Sequence, residues 1–279
     1  TCGGMGLTGI IINATIRLIP VRSRNVIETT FKAPNLDLAI RAFDENADAP
    51  YSMAWIDCLS RRSRLGRSLI TIGQHAEDDK LEGRSGQGVP VPFDMPSKLL
   101  NSFSIRAFNS FYYARKIKDT HTRVVPFGSF FYPLDAIRNW NRLYGRQGFV
   151  QYQLVTPKDA GLEPLRVIVA RIAESGLGSF LAVLKTFGPA NENPLSFPIE
   201  GYTLALDFKA HAESFRILDE LDAVVLDHGG RLYLTKDSRM TEAVFKRSYP
   251  TWIEFEEIRA RYHAIGRFSS DQSKRLGLE

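Results

Sequence analysis

The sequence has very little cysteine, since Cys2 and Cys58 are its two thiols in 279 residues. Two cysteines cannot build a disulfide framework or a zinc knuckle. The five histidines, at positions 75, 121, 211, 228 and 263, lack the spacing of metal ligands. The sequence therefore predicts no metal site and argues against a zinc enzyme and a Ser-His-Asp hydrolase.

Long apolar runs are also missing, and none approaches the ~20 residues that a membrane-spanning helix needs. The sequence also lacks a large excess of charge of one sign, since 36 Lys and Arg residues are nearly balanced by 31 Asp and Glu residues. The net charge is +5. That excess is too small to require nucleic acid, although it suits an anionic small ligand or a membrane surface. Hydrophobic (44%) and charged (24%) fractions are those of a globular protein with one or two domains.

The first twenty residues join a glycine-rich loop to an apolar run. Alternation from Ile12 to Leu18 predicts a strand. The loop lacks the Lys-Ser/Thr of a P-loop and the spacing of a dinucleotide fingerprint, which leaves a tight turn or a backbone phosphate cradle. No basic region precedes the run, so no signal peptide is predicted. A chain that starts at Thr1 on such a loop is expected to be a fragment or a processed chain.

Downstream periodicity predicts a mixed fold. Strands are expected at 24–32, 51–59, 68–75, 148–156, 179–187, 201–208 and 231–235, and helices at 35–45, 135–144, 162–175, 211–227, 241–248 and 251–263. Residues 76–88 are expected to form a long loop, and residues 96–116 a short aromatic-rich helix under a lid. The order from 148 to 235 indicates an α+β fold, an antiparallel sheet with helices packed on one face.

Polar side chains interrupt one face of three predicted strands. Gln151 and Gln153 share a face and stand ~7 Å apart, a spacing that suits neighbouring sugar hydroxyls. Lys185 lies on an otherwise apolar face, where an ammonium needs an anion or water. The third strand contributes Thr203, Ala205 and Asp207. These patterns are compatible with a ligand-binding sheet or with the commoner solvated sheet face.

Two further residues have open interpretations. Lys236 follows the predicted strand at 231–235, a position where site residues often gather, although most such lysines are simply solvated. Trp55 lies within the predicted strand at 51–59 and is more often a core residue than a stacking platform.

Several blocks of sequence nevertheless resemble one family. They are CGGMGLTGIIINATI at 2–16, YSMAWID at 51–57, FFYPLD at 130–135, NRLYG at 141–145, GFVQYQLV at 148–155, KTFGP at 185–189, LSFPIEGYTLALDF at 195–208, HGGRLYLTKDSR at 228–239 and SSDQSKRLGL at 269–278. In this order they are similar to the FAD-dependent decaprenylphosphoryl-ribose oxidases. That family belongs to the vanillyl-alcohol-oxidase-like flavoproteins, which also include the aldonolactone oxidases.

The resemblance implies three regions: the last strand of an FAD-binding domain at 1–22, a substrate-binding domain at 23–230, and a return to the FAD-binding domain at 231–279. Most FAD contacts would then lie outside this chain, with Ile11 and Tyr233 near the flavin. Lys236 matches the family's active-site lysine.

The resemblance also implies the substrate pocket. Gln151, Gln153 and Lys185 would line it, with an apolar wall of Trp55, Phe131, Leu181, Val183 and Phe187. Three positions depart from the family. Ala205 replaces a cysteine that traps covalent inhibitors, so such inhibitors should not act here. Thr203 replaces an asparagine, and Phe131-Tyr132 replaces a Tyr-His pair.

The implied reaction oxidises a secondary sugar hydroxyl to a ketone, with hydride transfer to the flavin and Lys236 as fixed cation or base. The implied partners are a sugar or lipid-linked sugar, a reductase that completes an epimerisation, and a membrane surface reached from the cytoplasm or the periplasm. Lys185 or the arginine-rich turn at 61–67 would meet a lipid phosphate. An aldonolactone oxidase and a non-catalytic binding module are the alternatives. No nucleic acid partner is expected, because the chain has no recognised nucleic-acid-binding fold.

Overall fold

The computed structural model describes residues 1–81, 88–96, 99–116 and 120–279. Parts of the predicted loop at 76–88 and of the predicted aromatic segment at 96–116 therefore lie outside the described residues. Within the described ranges, no helix has both the length and the apolar character needed to cross a membrane.

The described residues form strands and helices that are mixed along the chain. The strands are β1 (Asn25–Ala33), β2 (Tyr51–Ile56), β3 (Ser68–His75), β4 (Val89–Pro90), β5 (Thr120–Pro126), β6 (Ile137–Arg138), β7 (Phe149–Pro157), β8 (Ala182–Phe187), β9 (Gly201–Lys209) and β10 (Arg231–Leu232). The helices are α1 (Leu36–Glu45), α2 (Ser102–Ala114), α3 (Phe127–Phe131), α4 (Glu163–Ser175), α5 (Ala212–Asp227), α6 (Glu242–Ser248), α7 (Trp252–Arg261) and α8 (Asp271–Arg275).

One large sheet organises the molecule. In the described part of the chain, eight strands follow the order β10-β7-β9-β8-β2-β3-β1-β5, and each neighbouring pair is antiparallel. Strands β4 and β6 form a separate parallel pair. This sheet and its helices confirm the predicted α+β class.

The hydrophobic core lies between one face of the sheet and the helices α1, α4 and α5. The register sets Leu154 and Leu184 beside Leu204, so the three side chains point to the same side, where they are fully buried. Ile40 of α1, Ile168 of α4 and Leu221 of α5 belong to the same apolar cluster. Burial of each such side chain stabilises the fold by about 1.5–3 kcal/mol.

Local signals set the helix ends where the sequence predicts them. The Asn35 side chain accepts a hydrogen bond from the backbone N–H of Leu38 and so caps α1. Helix α4 ends at Gly176, whose φ of +71° lies in the left-handed region that glycine tolerates best.

Three predicted elements are wrong. The apolar run at Ile12–Leu18 forms no strand, because no described strand lies beside it to pair with its backbone groups. The predicted helix at 135–144 is divided by Asn139, whose φ of +57° separates β6 from the 3₁₀ turn Trp140–Tyr144. The predicted strand at 231–235 ends at Leu232, and a 3₁₀ turn covers Leu234–Lys236.

Candidate functional site

The face of the sheet opposite the three core helices carries the polar residues. Directly opposed residues of antiparallel strands point to the same side. The register pairs Gln151 with Asp207, Gln153 with Ala205 and Lys185 with Thr203. It also pairs Val183 with both Ala205 and Trp55. Three adjacent strands, β7, β9 and β8, therefore display the predicted polar residues on one surface, and β2 adds Trp55 beside them.

Hydrogen bonds between β7 and β9 fix both amide groups. Gln151 Nε2 donates to Asp207 Oδ1 at 3.1 Å, and Gln153 Nε2 donates to Thr203 Oγ1 at 3.1 Å. Each amide is thus held by the strand beside it. The two amide groups are therefore oriented before a ligand binds. Binding then does not have to order them.

Lys236 reaches the same surface from the edge of the sheet. The backbone N–H of Tyr233 donates to the carbonyl of Gln153 at 2.9 Å, which continues the β10–β7 pairing by one residue. The 3₁₀ turn Leu234–Lys236 then brings Lys236 into a small cavity that it shares with Tyr233, Gln151 and Gln153. The ammonium and the amide-bearing face therefore share one cavity.

Burial and charge shift two pKa values in this cavity. Burial lowers the pKa of Lys236; the carboxylate of Asp207 opposes that shift, and the neighbouring Lys185 adds to it. Burial raises the pKa of Asp207 to about 6, against the hydrogen bond from Gln151 and the charge of Lys236. Neighbouring titratable groups with such opposed shifts are typical of functional sites.

Alternation along the sequence places Asp207 on the polar face, but the predicted pocket residues do not include it. Its position two residues beyond Ala205 places it on the polar face, and the pairing with Gln151 gives it a partner. The missing signal was the depth of burial, because an Asp near the end of a strand is usually solvated.

The loop that carries Lys236 is anchored on both sides. Asp237 accepts hydrogen bonds from the backbone N–H groups of Arg239 and Met240 and forms an ion pair with Arg275 at 2.9 Å. Arg239 also pairs with the buried Asp222 at 2.7 Å. These contacts hold the loop against α5 and α8.

Aromatic side chains border the polar face at one end. The indole N–H of Trp55 donates to the carbonyl of Phe180 at 3.0 Å. The Trp55 ring lies 4.7 Å from that of Tyr112 in α2, centroid to centroid. Trp55 is thus a half-buried wall residue of this face.

The opposite end has two aromatic groups. The ring of Phe131 lies 4.8 Å from that of Tyr51. Phe187 contacts Phe197, which stacks on Tyr233 at 4.6 Å. Leu181, Val183 and Lys185 are every second residue along the β8 segment, so their side chains point to the same face.

Most predicted site residues are therefore brought together, and one is not. The shared face or its borders hold Gln151, Gln153, Lys185, Trp55, Phe131, Leu181, Val183, Phe187, Thr203, Ala205, Tyr233 and Lys236. Ile11 lies in the irregular segment before β1 with its side chain largely exposed to solvent. Its expected proximity to a flavin stays a prediction.

Replacing Asp207 with asparagine should stabilise the folded chain at neutral pH. A pKa raised from 3.8 to about 6 means that the native state binds more protons than the unfolded state between these values. The wild type therefore loses stability as the pH rises through this window, by about 3 kcal/mol in total. Urea unfolding of Asp207→Asn and wild type at pH 4 and pH 7.5 measures the effect. A difference that does not grow with pH would contradict the assignment.

The structure defines a class of protein: an α+β sheet whose one face is core and whose other face holds a half-buried lysine, a carboxylate and two oriented amides. No protein-family model matches the chain. It is 39% identical over 290 aligned positions to the decaprenylphosphoryl-β-D-ribose oxidase of Mycolicibacterium smegmatis. It is 30% identical over 293 positions to the "uncharacterized protein in mprA 5′ region" of Streptomyces coelicolor.

Both alignments include the whole chain, which spans 62% of the Mycolicibacterium smegmatis protein and 80% of the Streptomyces coelicolor protein. Over its full length the chain is thus similar to a decaprenylphosphoryl-β-D-ribose oxidase, of which it spans less than two thirds. The roles of its individual site residues stay predictions.

Proposed function

We propose that this chain is the substrate-binding portion of an FAD-dependent oxidase that converts a secondary hydroxyl of a prenyl-phosphoryl ribose-like sugar to a ketone. The observation that supports this most is the cavity shared by Lys236, Gln151 and Gln153. A fixed cation and two oriented amides are suited to a polyhydroxylated substrate whose oxidation develops charge. The name of the Mycolicibacterium smegmatis relative supports the choice of sugar.

The residues around the cavity fit a flavin. Tyr233 stacks on Phe197, which provides an aromatic surface beside the half-buried ammonium of Lys236. When bound, FAD supplies the acceptor for a hydride from the substrate carbon. Tyr233 and Lys236 would contact it from this chain, and we propose that most other contacts come from outside the chain.

The polar face would bind the sugar. Gln151 and Gln153 would orient neighbouring hydroxyls, because their amide groups are held by Asp207 and Thr203. The exposed ammonium of Lys185 would meet the phosphate as a charge-assisted partner. The aromatic residues at both ends of the face would restrict how the sugar lies.

Lys236 would act on the proton or on the charge of the reacting hydroxyl. Oxidation removes a proton from oxygen and a hydride from carbon. As a cation, Lys236 stabilises the negative charge that develops nearby; as a neutral amine, it accepts the proton. Burial favours the neutral amine of Lys236, whereas the carboxylate of Asp207 favours its cation. The balance of these two effects sets the protonation state of Lys236.

We further propose the regions 1–22 and 231–279 as the parts that join the FAD-binding domain, with 23–230 as the substrate domain. The ketone product would pass to a reductase that completes an epimerisation. A lipid-linked substrate would also require a peripheral contact with a membrane.

The test uses the FAD-loaded oxidase that contains this chain. Prenyl-phosphoryl ribose should bleach the flavin absorbance under anaerobic conditions, and a free aldonolactone should not. The reverse preference would indicate an aldonolactone oxidase. Binding of the sugar without any bleaching would indicate a non-catalytic module and contradict the proposal.

A further inference from the structure

Helix α2 exposes large aromatic side chains. Its buried side carries Ile105 and Asn109, and the Asn109 amide donates to Asp57 at 2.8 Å. On the opposite side, Phe103 is 80% exposed and Phe111 is 71% exposed. The two phenylalanines lie eight residues apart, so they share one helix face. A stripe of this kind is unusual on a surface that faces only water.

Positive charge surrounds this stripe. Residues 99–116 contain three basic side chains and no acidic one, and the turn at 61–67 contains four arginines and no acidic residue. The two segments touch, because Arg67 Nη2 donates to Ser110 Oγ of α2 at 3.0 Å. Arg62, Arg64 and Arg106 are exposed and form no ion pair with any described carboxylate. The surface therefore combines exposed rings with unpaired cations.

We propose that the exposed face of α2, together with the turn at 61–67, docks onto an anionic lipid bilayer. We call this surface the α2 surface. Amphipathic helices with aromatic residues on one side and basic residues beside them bind in the plane of the lipid interface. Each basic group near an anionic leaflet adds to the electrostatic attraction. Thirteen residues make a helix of about 20 Å, which suits lying on the bilayer.

The same charge argues against a second copy of the chain as the occupant. A symmetric dimer through this face would set the arginines of one copy against those of the other. Like charges brought together in this way are unfavourable. An anionic headgroup layer instead offers an opposite charge to the exposed Arg62, Arg64 and Arg106.

The α2 surface lies close to the candidate site. Tyr112, on the inner side of α2, contacts Trp55 at the border of the polar face. Docking would therefore bring one end of this face near the lipid headgroups. That this position gives a lipid-linked substrate access to the polar face rests on the proposed function, whereas the docking itself does not.

Vesicle cosedimentation tests the proposal without flavin or substrate. The protein should bind vesicles of phosphatidylcholine with 30% phosphatidylglycerol and bind pure phosphatidylcholine about tenfold more weakly. Raising the salt from 50 to 500 mM should release most of it, because the charge attraction is screened. Failure of the wild-type protein to bind the anionic vesicles would overturn the proposal.

Matched variants locate the contact. Phe103→Ser with Phe111→Ser should lower vesicle binding about tenfold or more, since two interfacial rings are lost. Ile253→Ser with Tyr262→Ser changes side chains that are 53% and 72% exposed elsewhere and should bind as wild type. Equal binding by both pairs would overturn the α2 surface and indicate another contact, such as the apolar segment before β1.

A depth probe separates lipid contact from self-association. Phe111→Trp should show fluorescence quenching by brominated lipids, whereas Ile253→Trp should not. Sedimentation velocity without vesicles should give a monomer. A dimer that Phe103→Ser with Phe111→Ser disrupts would assign the surface to a second copy and refute lipid docking. If docking holds and the sugar assay fails, only the proposed function is lost.

Discussion

Lys236→Ala in the FAD-loaded oxidase should slow flavin reduction by the sugar about a thousandfold, the cost of losing one preorganised charge in a water-poor site. The half-buried ammonium shares its cavity with Gln151 and Gln153, so no solvent cation replaces it readily. Anaerobic stopped-flow absorbance measures the rate. The spectrum before mixing verifies that the variant still holds FAD. A near-normal rate would eliminate both roles proposed for Lys236.

Two further variants separate those roles. Lys236→Arg keeps the charge but cannot give up its proton, since the guanidinium stays protonated. Substantial activity in this variant would identify the cation role, and its absence with rescue of Lys236→Ala by small amines would identify the base. Lys185→Ala is the matched control, because Lys185 is exposed on the same face. It should raise the KM for the phosphorylated sugar more than it lowers kcat.

Asp222→Ala should lower the free energy of unfolding by about 3 kcal/mol, because it removes one member of a buried charge pair. The Asp222 side chain is 4% exposed, pairs with Arg239 at 2.7 Å, and accepts a hydrogen bond from the Tyr152 hydroxyl at 2.9 Å. Burial raises the pKa of Asp222 despite these contacts. Urea unfolding at pH 7.5 gives the value.

Asp219 provides an unusually close control. It pairs with the same Arg239, but its side chain is 71% exposed. Asp219→Ala should therefore cost less than about 1 kcal/mol. Equal losses from the two variants would show that burial does not set the strength of this network. Because Arg239 and Asp237 hold the loop after Lys236, Asp222→Ala should also slow flavin reduction more than Asp219→Ala.

Local patterns predicted most of the fold. Alternation along β7 and β9 and the Asn35 cap of α1 are signals contained within a few residues, and the structure confirms them. The run from Ile12 to Leu18 has the same alternation, yet it forms no strand. A strand depends on a neighbouring backbone, which no local pattern can supply.

The candidate site shows the same division. Alternation alone was enough to assign Gln151 and Gln153 to one face of a strand. The resemblance to a family, by contrast, was needed to favour Lys236 over any other lysine at a strand end. Asp207 required the register, because its burial and its bond to Gln151 arise only when β7 and β9 pair.

Strand β9 has two sets of side chains on opposite faces, and this arrangement bears on how the ligand preference of such proteins can change. Leu204 and Leu206 face the helices, whereas Thr203, Ala205 and Asp207 alternate with them on the opposite side. The first set makes the contacts with the core, and the second set faces the candidate site. Ligand preference in this fold can thus change through the second set while the first set keeps its contacts with the helices.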